Sequence, residues 1–117
     1  MTASDAIPVA KIELRSHGPG PLRLVVHGDL EAASVPDFRE VASAAVGVRA
    51  LVIDLTDCTF LDSCGLGALI GVVRRVHGAN GRVVISIGPE SPVRQLLRHA
   101  GLDHLAPVLV HGSHASS

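Results

Sequence analysis

The sequence predicts one α/β domain: a mainly parallel sheet of about four or five strands, with an antiparallel edge strand, packed with three or four helices. Three observations lead there. Short extended runs alternate with stretches of helical periodicity, the order that produces right-handed βαβ units. Ala50 to Leu55 (ALVIDL) is a nearly unbroken apolar run ending in turn residues, the form of a central parallel strand covered on both faces. The chain has 117 residues with no repeat and no linker, enough for one modest core and too few for two.

Lys11 to Arg15 (KIELR) alternates polar and apolar residues, as a half-exposed edge strand does, and SHGPGP then breaks the chain. Leu22 to His27 (LRLVVH) is a second strand, close enough to pair with the first as a hairpin. In S-V-P-D the Ser34 side chain is expected to cap a helix over about 35–46. Pro36 suits its first turn, and Asp37 faces the positive end of the dipole. Its buried stripe is Phe38, Val41, Ala42 and Ala45.

After Leu55 the chain passes through TDCTFLD into a second helix from about Cys64 to His77, then the turn GANG and the strand Val83 to Ile87. Ser91-Pro92 repeats the cap signature for a third helix with the stripe Val93, Leu96, Leu97 and Ala100, and Gly101 is its stop. Pro107 to Val110 is a last short strand. The domain spans 1–117 with a core from about 11 to 110, and 111–117 reads as a disordered tail.

Composition excludes several functions. Hydrophobic residues make up 47% of the chain, yet Phe38 and Phe60 are its only aromatics, which leaves no stacking platform for single-stranded nucleic acid. Ten basic and eleven acidic residues give a net charge of -1 with scattered arginines, so no nucleic-acid partner is expected. No apolar run approaches the ~18 residues of a membrane span, and MTASDAIPVAK lacks a signal peptide's basic start and long apolar stretch. The expectation is a cytoplasmic protein without membrane insertion. Cys58 and Cys64 fit neither CxxC redox chemistry nor a zinc cluster and read as reduced thiols. His17, His27, His77, His99 and His104 are without ligand spacing, so no metal is expected.

The candidate site is LDSCGLGALIG, Leu61 to Gly71. Its hydroxyl, Ser63, falls at a helix N-terminus beyond the carboxyl end of a parallel strand, where sheets of this kind place their sites. Helical spacing puts Leu66, Leu69, Ile70, Val73 and His77 on a packing face. It puts Cys64, Ala68, Gly71 and Arg75 on a second face with little bulk before the arginine, which a partner could approach. Spacing alone equally allows Asp62 or Ser63 to be only a cap, with glycines that let the helix pack closely on the sheet.

Asp54 to Gly71 (DLTDCTFLDSCGLGALIG) resembles the signature of STAS domains, in particular bacterial anti-sigma factor antagonists, whose motif commonly runs D-S-S-G-L-G or D-S-T-G-L-G. Gly28 to Pro36 (GDLEAASVP) resembles the family's G-E-L-D-x-x-T-A-P at the same distance upstream, and the likeness runs from Lys11 to about Val110. The resemblance implies a STAS-like fold without enzymatic activity and without a cofactor of its own. It implies that an anti-sigma factor, a GHKL-type serine kinase that uses ATP, phosphorylates Ser63. The unphosphorylated antagonist binds that kinase and frees a sigma factor, and a PP2C-type phosphatase resets the cycle. Asp62 then shapes the turn, Gly65 and Gly67 permit close backbone approach, and Cys64, Ala68, Gly71 and Arg75, with Glu31, form the partner face. Cys64 departs from the family's second Ser or Thr, and Asp29 and Glu31 stand where it has Glu and Asp.

Other readings fare worse. A Ser63 or Cys64 nucleophile lacks a histidine near in sequence and the G-x-S-x-G context. A receiver domain with Asp54 as phospho-acceptor lacks an acidic pair after the first strand. Asp54 is therefore expected to be structural. The nearer rival is a non-phosphorylated STAS docking subunit of a lipid-transport ATPase or another multiprotein assembly.

Overall fold

The computed structural model describes residues 10–16 and 18–110; the expectations for His17 and for the tail at 111–117 lie outside them. Its elements are β1 (Ala10–Arg15), β2 (Leu22–Leu30), α1 (Val35–Ser43), β3 (Ala50–Asp54), β4 (Cys58–Leu61), α2 (Ser63–Gly78), β5 (Arg82–Ile87), α3 (Arg94–His99), α4 (Leu102–Leu105) and β6 (Val108–Val110). The sheet runs β1-β2-β3-β5-β6, with β4 paired to β2, and only β1–β2 is antiparallel.

Each crossover moves the chain the same way along this order, so right-handed connections put all the helices on one face. Alternation then sorts the strands. Leu24, Val26, Leu51, Ile53, Ile85 and Ile87 turn into the helix-covered core with Phe38, Leu69, Leu97 and Leu102. The opposite face carries half-buried Arg23, Val52 and Asp54 together with buried Val25 and Ser86. This corrects the expectation that Ala50 to Leu55 is covered on both faces: β3 is central, but among the described residues no helix lies on its other side, because no helical crossover returns.

β2 runs three residues beyond the expected His27. Its first half pairs with β3 and its last three residues pair with β4, across a register shift between Gly28 and Asp29. β4 itself was hidden in TDCTFLD. Asp54 accepts hydrogen bonds from the amide (2.9 Å) and hydroxyl (2.6 Å) of Thr56 and pairs with Arg23 at 3.1 Å, holding the turn that separates the two strands. Burial pushes the Asp54 carboxyl up, but Thr56 and Arg23 together hold it below the usual value. Asp54 is thus the structural strand-end residue expected of it.

Two helix boundaries and one cap differ from the sequence reading. α1 stops at Ser43, where Ala45 turns back to the Ala42 carbonyl (2.9 Å), although Ala45 stays buried. Ser34 precedes α1 but does not cap it by its side chain. Its buried hydroxyl instead accepts from the Glu31 amide (3.0 Å) and donates to the Asp29 carbonyl (2.9 Å), fastening the loop after β2. α3 begins at Arg94, because Ser91 spends its hydroxyl on the Val93 amide (3.2 Å) in a preceding turn. Gly101 does stop α3, in the left-handed region at φ 76°, and the chain then forms the unexpected α4.

Candidate functional site

The end of β2, the end of β4 and the start of α2 meet at Asp62 and Ser63. Asp62 caps α2 in extended conformation: one carboxylate oxygen accepts the Gly65 amide at 2.8 Å, and the other accepts the Ala32 amide at 3.1 Å from the loop after β2. One side chain therefore fixes the helix start against the upstream motif. The Gly65 amide holds the Asp62 carboxyl below the usual carboxylate value, with the Ala32 amide adding to it.

A lowered folded-state pKa contributes stability above the unfolded value of about 3.9, and that contribution is lost as pH falls through the folded value. Asp62 and Asp54 share this sign. Urea unfolding is expected to show a midpoint that falls as pH drops from 5 toward 3, and Asp62→Asn, which keeps an acceptor but loses the charge, should flatten that fall. An unchanged acid limb in the variant would contradict it.

Ser63 is the first residue of a sixteen-residue helix, is exposed, and its hydroxyl has no hydrogen-bond partner among the described residues. Cys64 beside it is exposed, and three residues before Ser63 on β4 the aromatic Phe60 is 48% exposed. Thr59 donates its hydroxyl to Asp29 at 2.6 Å, and the Ala32–Asp62 bond sets the loop that carries Glu31 beside the start of α2. Sequence reasoning passed over Phe60; its signal was a lone aromatic in a stretch too short to read as a strand. The other cysteine, Cys58, is buried, which pushes its thiol pKa up, and it donates to the Phe60 carbonyl at 3.4 Å.

The structure rotates α2 relative to expectation. Its buried stripe is Gly65, Ala68, Leu69, Val72, Val73 and Val76, with Leu66 and Ile70 half-buried and His77 exposed. Ala68, expected on the partner face, is only 3% exposed and cannot belong to it. Gly65 is also buried: a Cβ there would stand 2.9 Å from the Leu30 carbonyl carbon and closer still to its oxygen, so its missing side chain admits β2, not a partner. Small residues let a helix approach a sheet most closely, so the Gly65–Ala68 side seats and the bulkier Leu66 and Ile70 move to the flanks.

The outward strip is Ser63, Cys64, Gly67, Arg74 and Arg75, with half-buried Gly71 among them. A Cβ at Gly67 or Gly71 would meet nothing within 4 Å. Glu31 is half-buried in the loop after β2. The structure thus brings Glu31, Asp62, Ser63, Cys64 and Gly67 together, with Gly71 and Arg75 further along the helix.

A family model described as "Mlab, STAS domain" matches residues 14–110. The chain belongs to the STAS domain family. Among its relatives are an anti-sigma F factor antagonist of Lysinibacillus sphaericus, 28% identical over 64% of this chain and 66% of that protein, just under two thirds of its length. The anti-sigma-B factor antagonist of Staphylococcus aureus is 27% identical over 71% of this chain and 78% of its own. Solved structures share the STAS fold. An anti-sigma factor antagonist from Mycobacterium paratuberculosis superposes with TM-score 0.76 at 23% identity, covering 99% of this chain and 95% of that one. SpoIIAA in its unphosphorylated form gives 0.72 at 20% identity over 91% and 92%, and the phosphorylated form of this Bacillus protein gives 0.68 at 20% over 91% and 96%. Among the described residues of the STAS domain no helix is long and apolar enough to cross a membrane.

Proposed function

We propose that this STAS domain is a cytoplasmic anti-sigma factor antagonist. Its unphosphorylated form binds an anti-sigma factor that is a GHKL-type serine kinase and so releases a sigma factor. The kinase consumes ATP to phosphorylate Ser63, which ends binding, and a PP2C-type phosphatase restores the hydroxyl. The domain itself is a binding partner and not an enzyme, and needs no cofactor.

The observation that carries this reading is the exposed, unengaged Ser63 hydroxyl at the head of α2, followed by the open surface at Gly67 and Gly71. The relatives named as antagonists support the same role, and SpoIIAA is described in both phosphorylated and unphosphorylated forms. The contact set is Asp62, Cys64, Gly67, Gly71, Arg75 and Glu31, with Phe60 added and Ala68 and Gly65 removed. A phosphoryl group would bring about -1.5 to -2 charges beside the Asp62 carboxylate and the loop that carries Glu31. The α2 dipole tolerates this within the domain, where no refolding is needed, while a partner's apolar or acidic surface would not.

A second reading keeps the fold and drops the phosphorylation: a docking subunit of a lipid-transport ATPase or similar assembly. It is favoured by the matching family model, described as "Mlab, STAS domain" and not as an antagonist family, and by Cys64 in place of the second hydroxyl. A pull-down from source-cell lysate with wild type, Ser63→Ala and Ser63→Asp separates the two. A GHKL-type kinase retained by the first two baits alone establishes the switch. Transporter components retained by all three establish the docking subunit.

A further inference from the structure

Among the described residues the sheet ends in an edge at β6. Ile85 donates its amide to the Pro107 carbonyl at 2.8 Å, and the parallel register continues as Ile85↔Val108, Ser86↔Leu109 and Ile87↔Val110. Successive residues of a strand point their backbone groups to opposite sides. Val108 and Val110 therefore turn their amides and carbonyls away from β5, where the sheet has no further strand among the described residues. No turn or loop group among the described residues bonds to them.

A cleft of about 350 Å³ lies alongside, between this edge and α3. Leu97, Pro107, Val108 and Val110 give it apolar walls, and Arg94 and Arg98, one helical turn apart, add two guanidinium groups. Neither arginine pairs with a carboxylate among the described residues. Both also line the adjoining hollow with Ser91 and Gln95, so the positive border continues along α3. Asp103 of α4 is the one acid lining the cleft. On the opposite face of β6, Leu109 is 54% exposed.

We propose that this edge is a docking site for an extended segment of a partner protein that carries an acidic residue two positions from an apolar one. An added strand would satisfy the outward backbone groups of Val108 and Val110. Its alternate side chains would enter the cleft on the face those valines occupy, the apolar one against Val108 and Val110, the carboxylate against Arg94 and Arg98. Side chains on its other face would cover Leu109. A helix has no free backbone groups to offer such an edge. β3 and β5 separate this edge from β2, where the Ser63 region is built, so the proposal stands independently of the antagonist reading.

The test uses 15N-labelled protein and the peptide acetyl-Thr-Glu-Thr-Val-Thr-Glu-Thr-amide, which places Glu, Val and Glu on one face. Saturable shifts confined to residues 94–110, slowed amide exchange at Val108 and Val110, and an affinity lowered about tenfold or more by Arg94→Ala with Arg98→Ala are expected. Asp103→Asn should tighten binding, and a peptide with Gln for Glu should bind as weakly as the double variant does. No saturable shift at millimolar peptide, shifts confined to other residues, or equal affinity for the Glu and Gln peptides would overturn the proposal.

Discussion

Ser63→Asp is expected to weaken binding of the kinase partner about a hundredfold or more, while Ser63→Ala binds as wild type does. Ser63 is exposed at the first position of α2, so the aspartate should leave the fold and its melting temperature nearly unchanged; acid at a helix start is favourable. The penalty arises in the complex. A carboxylate placed beside the Asp62 carboxylate must shed water against whatever covers Gly67 and Phe60, and a loss of about 3 kcal/mol already exceeds a hundredfold in affinity. Calorimetric titration against the purified partner without ATP measures this directly. Phosphoserine carries more charge than aspartate, so enzymatic phosphorylation should weaken binding further. Equal affinities for the three proteins would remove Ser63 from the interface.

The parts of the fold legible in the sequence were those where local signals agree with long-range packing. Leu22 to His27 and Val83 to Ile87 are strands in both readings, and Gly101 stops α3 where a left-handed residue is required. The misses share one cause, which is that tertiary contacts chose among locally similar options. Ser34 has the composition of a cap, but the loop after β2 engaged its hydroxyl first. β4 is four residues long, too short for a period-two pattern to emerge, and it exists because β2 outruns β3 and needs a partner. The site itself was legible in position and only partly in orientation. Asp62 and Ser63 fall where the motif puts them, but assigning the bulkiest side chains to the core turned α2 the wrong way. Close approach of Gly65 to Leu30 is a contact between residues 35 apart, which helical spacing alone cannot weigh.

That rotation makes the two motif glycines opposite in kind, and their alanine variants separate fold from docking. In Gly65→Ala the new methyl is driven into the Leu30 backbone and stands 2.9 Å from the Leu61 Cδ1. Backbone held by the β2–β4 ladder gives way far less easily than a flexible side chain would. A cost of roughly 3 kcal/mol is expected, at the upper end for overpacking, and it should lower the melting temperature by roughly 12 °C or more. Gly67→Ala adds the same methyl to the same helix where nothing lies within 4 Å, so helix propensity acts alone and stabilises by up to about 1 kcal/mol. If the outward strip is the docking face, that stabilised variant should still bind the partner more weakly, because the methyl holds the two surfaces apart. Higher stability with lower affinity has no explanation in a damaged fold. An affinity unchanged in Gly67→Ala would place the partner elsewhere on the domain, whatever Gly65→Ala does to its stability.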